Sequence, residues 1–295
     1  MNRFEVSSDS TCDLYQSKIK ELGVHFVPLT FTIESNGKLE EFLDNFTGYS
    51  QYVNFYNRLR AGDVSKTSML NLQSHLDHFT KIAEKGITNV VHFTIAYGLS
   101  PTVDVANDAV KIVKQAYPKF NCICIESNTT TYGQGLLVEM AVKMRDNGLT
   151  DKECAEQCNK LKHNLQHYIV VDSLMYLKRG GRVSNVKAVI GTMLNLKPIL
   201  TFSKMGKLEM LAKTVGFKKA IKFIAGDFKK YTINKDYNKI YIAHTDNEPL
   251  ALEIKEELEK HYKNLNIEVT IMGPVIGSHV GPNSIGFVFL SNEER

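Results

Sequence analysis

No apolar run in the 295 residues reaches the ~18 needed to cross a bilayer, so no spanning helix is expected. The opening Met1-Asn2-Arg3-Phe4-Glu5 lacks the long apolar stretch of a signal peptide, and the expected location is the cytoplasm. Charge of either sign is scarce in excess: Lys+Arg 36 against Asp+Glu 32 leaves a formal +4, too small by itself to argue for nucleic acid or membrane. Five cysteines are an odd count in a long chain, which makes a disulfide framework improbable. Cys154/Cys158 and Cys122/Cys124 lack the spacing of a structural zinc site, and buried small hydrophobes are the expectation. His75-x-x-His78 has no glutamate between its histidines, so the metalloprotease pattern is missing. No GxxxxGK[ST], strand-linked GxGxxG or GxSxG is present, so ATP, NAD or nucleophile-elbow chemistry finds no support in this chain.

What is there is an alternation of strand-like and helix-like segments. Short β-rich runs at 4–7, 25–33, 89–95, 122–126, 168–171, 239–244, 267–272 and 285–290 are separated by amphipathic segments. In 50–61, Tyr52, Phe55, Tyr56 and Leu59 recur at helical spacing before Gly62; in 102–116, Val103, Ala106, Val110 and Val113 share a face. Thr150-Asp151-Lys152-Glu153 is a capping box. Residues 204–207 read as a hairpin turn between 198–203 and 208–213. The pattern predicts a two-domain α/β protein, 1–166 and 167–295, with largely parallel sheets covered by helices and a mixed sheet in the second half.

In such folds ligands bind beyond the carboxyl ends of strands, which directs attention to six loops. Residues 8–13 (SDSTCD) and 65–68 (SKTS) offer hydroxyls just ahead of helices, suited either to capping or to a small anion. Residues 98–102 (GLSPT) and 128–131 (NTTT) allow the same two readings; Ser100 would cap a helix with Pro101 at its first position. Lys178-Arg179-Gly180-Gly181-Arg182 sets three cations around a tight turn, favourable for an anion or simply solvated. Residues 277–286 form a glycine-rich loop enclosing His279, which can donate to a carboxylate or be incidental.

Taken together and in order, these segments resemble the DegV family of bacterial fatty-acid-binding proteins. Asp9-Ser10-Thr11-Cys12-Asp13 is similar to the family's DST-x-D opening, and Val27-Pro28-Leu29 follows at the expected place. Lys66-Thr67-Ser68 resembles its TSQPS loop and Gly98-Leu99-Ser100-Pro101-Thr102 its GLSGT loop. Asp172-Ser173-Leu174-Met175-Tyr176-Leu177 through Gly180-Gly181-Arg182-Val183-Ser184 resembles D-x-L-x-Y-L-x-x-GGR-[IV]-S. Leu194-Asn195-Leu196-Lys197-Pro198-Ile199-Leu200 and Gly277-Ser278-His279-Val280-Gly281-Pro282 complete seven motifs across nearly the whole chain.

The resemblance implies a two-domain α/β fold holding one long-chain fatty acid, with no cofactor and no catalysis by the chain itself. It implies a lipid-loading subunit whose bound acid is phosphorylated by a separate ATP-dependent fatty acid kinase. The family-matched ligand residues are Thr67, Ser68, Ala96, Tyr97, Ser100, His279 and Gly281, with Arg182 meeting the partner or the acyl phosphate. The sequence departs from the family's ISSGLSGT at Ala96-Tyr97, so one carboxylate hydrogen bond is either lost or supplied by the Tyr97 phenol; Met69-Leu70-Asn71 likewise replaces Gln-Pro-Ser. Two other readings stay open at this point. One is an enzyme acting on a small carbonyl or phosphorylated ligand, akin to the substrate domain of dihydroxyacetone kinase, with Thr67 and His279 as nucleophile and base. The other is a nucleic-acid regulator carried by Lys218, Lys219, Lys222, Lys229 and Lys230, a stretch that equally makes a solvated helix face.

Overall fold

The structure, a computed structural model, describes residues 4–182 and 195–295; Val183, Ser184 and Leu194 of the motifs above lie outside the described residues. Three sheets organise it. The first is all parallel, in the order β2 (His25–Val27), β1 (Glu5–Asp9), β6 (Asn89–Thr94), β7 (Asn121–Glu126). The second is a small antiparallel sheet of β4 (Lys38–Leu43), β3 (Thr30–Ser35) and β5 (Val64–Ser68). The third has six strands, in the order β10 (Leu208–Val215), β9 (Leu196–Phe202), β8 (Leu165–Val170), β13 (Ile285–Leu290), β11 (Lys239–His244), β12 (Asn266–Ile271). Only β11 and β12 run parallel there, so the second half is mixed as expected but mainly antiparallel.

The parallel sheet follows from its sequence. β6 carries Val90, Val91 and Phe93, and five of its six residues, His92 and Thr94 included, are buried, as both-face burial demands. One face packs on α3 (Leu72–Glu84) and α4 (Thr102–Ala116) through Phe79, Ile82, Val110 and Val113. Between the first and third sheets lies α5 (Tyr132–Asp146), buried at twelve of its 15 positions, which explains why it is apolar nearly all round. It packs against β1 and β6 on one side and β11 and β13 on the other. α6 (Asp151–Leu161) opens with the expected capping box, Thr150 and Glu153 each satisfying the other's backbone N–H. α8 (Phe217–Asp227) and α9 (Glu248–His261) cover the outer face of the six-stranded sheet over Tyr168, Val170, Ile240 and Ile242. Successive residues of a strand face opposite sides, so Leu165, His167 and Ile169 of β8 look inward. Among the described residues no helix is long and apolar enough to cross a membrane.

Among the described residues the remaining α-helices are α1 (Gln16–Leu22), α2 (Tyr49–Arg60), α7 (Met175–Arg179) and α10 (Pro274–Val280). Several expectations need correction. The segment holding Thr67 is not a helix approach but the strand β5; the helix after it is capped by Asn71, whose side chain accepts from Ser74 N at 2.8 Å. Gly277–Val280 is not loop but the last turn of α10, which Gly281 ends at φ 73°. Pro101 takes the cap position of α4 itself, one residue earlier than expected for it, displacing Ser100 from that role. The opening Asp9–Asp13 motif does not reach a ligand site: Asp9 accepts from Thr11 N at 3.0 Å, Gln134 Nε2 at 2.8 Å and Ile95 N at 3.2 Å, tying β1 to α5 and to the end of β6.

Candidate functional site

Where the inner face of the six-stranded sheet meets α10 and the end of β5, the side chains leave a cavity of about 930 Å³, its mouth included. Its walls are apolar: Ile169, Leu200, Phe202, Leu208 and Val288 from the sheet, Val275, Ile276 and Val280 from α10, with Leu29, Ile95, Leu99, Leu177 and Met272 closing the sides. Such an apolar pocket with few polar groups is the usual form of a small-molecule site.

One group of polar side chains lies where β5 meets α10. β5 and α10 are pinned side by side by two hydroxyl contacts two residues apart, Ser65 Oγ to Ser278 Oγ at 2.7 Å and Thr67 Oγ1 to His279 Nε2 at 2.8 Å. The strand period of two puts Ser65 and Thr67 on one face, and the second contact falls at the cavity wall. Ser68, Ser100 and Arg182 line the same cavity. Arg182 donates from Nη1 to Gly180 O at 2.6 Å and from Nε to Leu99 O at 3.3 Å, bridging the turn after α7 to the loop after β6. Among the described residues it has no carboxylate partner.

Burial, and secondarily the Arg182 charge, push the His279 imidazole down to about 4, so the ring is neutral near pH 7. Its Nδ1 makes no hydrogen bond and lies against Gly180, where any Cβ would overlap the ring. When the proton sits on Nε2, the ring donates to Thr67 Oγ1 and leaves the threonine proton for a ligand. A nucleophile–base pair needs a basic imidazole oriented by a third group; here the ring is weakly basic and its Nδ1 has no orienting acceptor. A threonine hydroxyl held by a histidine at an apolar cavity can anchor an anion.

Of the residues expected from sequence, Thr67, Ser68, Ser100, His279 and Arg182 come together around the cavity. Three do not. Ala96 is fully buried in the core beside the tip of the β9–β10 hairpin. Tyr97 is 53% exposed, with its hydroxyl bonded to Asp104, and does not line the cavity. Gly281 packs under the Tyr176 ring, and its carbonyl accepts from Thr245 Oγ1 at 2.7 Å. Sequence reasoning missed His167, Ile169, Phe202 and the other wall residues; their only signal was alternation along β8 and β9, which does not say what a buried face encloses. Thr130 and Thr131, read from sequence as suited either to capping or to a ligand, line the cavity, and the Thr131 side chain makes no cap bond to α5.

Comparison with known proteins agrees with this architecture. The sequence profile of the DegV family, described as uncharacterised, matches residues 3–292. A DegV domain-containing protein of Clostridium perfringens is 32% identical over 295 residues, covering 100% of both chains. A solved DegV lipid-binding protein of Thermotoga maritima is 26% identical, covers 99% of this chain and 100% of its own, and superposes with a TM-score of 0.84. A second Thermotoga maritima structure, described as revealing a fatty acid binding function, is also 26% identical, with 99% and 100% coverage and a TM-score of 0.82. On its own sequence and fold, then, this chain belongs to the DegV family.

Proposed function

We propose that the protein binds one long-chain fatty acid, with the acyl chain in the apolar cavity and the carboxylate at the Thr67–His279 end. The observation that carries this reading is the cavity itself, mainly apolar along its walls, with a histidine bonded to a threonine hydroxyl at one end. Burying a CH₂ group is worth ~0.8 kcal/mol, so about fourteen of them supply roughly 10 kcal/mol before the costs of association. The carboxylate must then be hydrogen-bonded, since burying it unpaired is costly. Thr67 supplies a donor, the Ser68 and Ser100 hydroxyls are near enough to line the same end, and Arg182 sets a positive field at its rim. The two Thermotoga maritima relatives described as binding lipid or fatty acid support the reading.

In this account the chain is a carrier rather than an enzyme, works in the cytoplasm, and divides near residue 166 into the two domains read from sequence. It presents its acid to a separate ATP-dependent kinase, with exposed Arg182 facing the partner or the acyl phosphate. The absence of a nucleotide motif in the sequence and the polar end lying at the exposed Ser68 and Arg182 are compatible with that role. The test is native mass spectrometry of protein purified from bacteria, followed by organic extraction. One fatty acid per chain is expected. Bare polypeptide, even after fatty acid is added back to delipidated protein, overturns the proposal.

A further inference from the structure

The carboxylate end does not account for all the polar atoms on the cavity wall. His167 sits on β8 two residues before Ile169, hence about 7 Å along the strand from it and away from the end where α10 leads into β13. Its ring packs edge-on to Phe202 with centroids 5.0 Å apart, and its Nε2 lies 2.6 Å from Thr129 Oγ1. Its Nδ1 makes no hydrogen bond, although the Leu165 carbonyl lies close enough to favour the charged ring. Thr130 Oγ1, from the loop after β7, is likewise buried without a partner. Both residues line the cavity and are more than nine-tenths buried, His167 at 5% and Thr130 at 7% exposure. Next to them Thr131, also on the wall, holds φ at 52°, an uncommon conformation for a β-branched residue.

Two unpaired polar atoms on a mainly apolar wall are a standing cost unless a ligand satisfies them. Building on the fatty-acid reading above, we propose that Thr130 and His167 form a second polar subsite, which takes a hydroxyl carried on the acyl chain. The preferred ligand class is therefore a hydroxylated long-chain fatty acid. A hydroxyl suits the site better than a ketone. If His167 carries its proton on Nε2, bare Nδ1 accepts from the ligand hydroxyl; if on Nδ1, it donates to the ligand oxygen, and Thr130 completes the pair in either case.

The test is competition binding to the delipidated full chain with stearic acid and a series of hydroxystearic acids that differ only in hydroxyl position. At least one isomer is expected to bind five- to tenfold more tightly than stearic acid. Thr130→Val should erase that ratio, and Thr130→Ser, which restores a hydroxyl, should keep most of it. If stearic acid binds but every isomer binds more weakly, or if the preference survives Thr130→Val, the subsite falls and fatty-acid binding stands. If stearic acid and all isomers fail alike, the fatty-acid reading falls and the subsite falls with it.

Discussion

At the residue scale, the account turns on one contact, the 2.8 Å bond between His279 and Thr67. A hydrogen bond to a charged group is worth roughly 1.5–3 kcal/mol, or about ten- to a hundredfold in affinity. His279→Ala and Thr67→Val should each weaken fatty acid binding within that range in a fluorescence titration. Thr67→Val removes the proton that meets the carboxylate; His279→Ala releases the threonine that holds it. Their double variant should lose little more than the worse single one, because the two act as one unit. Tyr97→Phe should leave affinity unchanged, because that ring is exposed and its hydroxyl is spent on Asp104. A selective loss of acid binding in Tyr97→Phe would return the phenol to the site.

At the scale of elements, the site depends on how closely the turn after α7 approaches α10. A Cβ on Gly180 would overlap His279 Nδ1, so Gly180→Ala should push the imidazole off Thr67 and weaken acid binding about as much as His279→Ala, with little change in melting temperature. The two elements that carry the anchor were also the hardest to read from sequence. Val64-Ser65-Lys66-Thr67-Ser68 has no apolar alternation because one of its faces contacts α10 through hydroxyls, so it looks like a helix approach rather than a strand. Gly277-Ser278-His279-Val280 looks like a loop because glycine is a poor helix former; as the last turn of a seven-residue helix it is held by its neighbours rather than by propensity. Long amphipathic or fully buried elements such as α4, α5 and β6 were legible because burial imprints its period on them. A cavity leaves no such period, so the walls became visible only once the three sheets were assembled.

At the scale of the whole molecule, the interior holds an unusual set of ionisable groups, and stability should depend on pH in a definite way. Eight histidines, His25, His75, His78, His92, His163, His167, His244 and His279, are shifted downward, in each case mainly by burial. The unfolded chain takes up protons on them as pH falls below about 6.5 while the folded chain does not, so stability falls toward acid. Asp13 and Asp44 are shifted upward by burial, Asp13 additionally by the Asp44 charge, against smaller lowering contacts from the Gly273 backbone and the Ser10 hydroxyl. For Asp44, raised to about 7, the protonated form is the one the fold favours, and its stabilisation is lost as pH rises from the ordinary carboxylate range through 7. Below pH 6.5 the eight histidines outnumber the aspartates and dominate. Between the ordinary carboxylate range and pH 7 the loss from Asp44 opposes the gain from the histidines, and above pH 7 Asp44 is charged in both states and adds no further slope. Thermal unfolding from pH 4 to 8 should show stability rising with pH, and Asp44→Asn should steepen that rise below pH 7. A slope unchanged in Asp44→Asn would assign Asp44 no part in it.

The most direct test of the central claim compares palmitic acid with its methyl ester on the delipidated chain by isothermal titration. Both carry the same acyl chain into the same apolar cavity, but only the acid brings a charge to the Thr67–His279 end. The account predicts one site per chain, with the acid bound at least tenfold more tightly than the ester, and an advantage that shrinks to about twofold in His279→Ala. Equal affinity for acid and ester in the unaltered protein would contradict it, since the cavity would then hold a chain without reading its carboxylate.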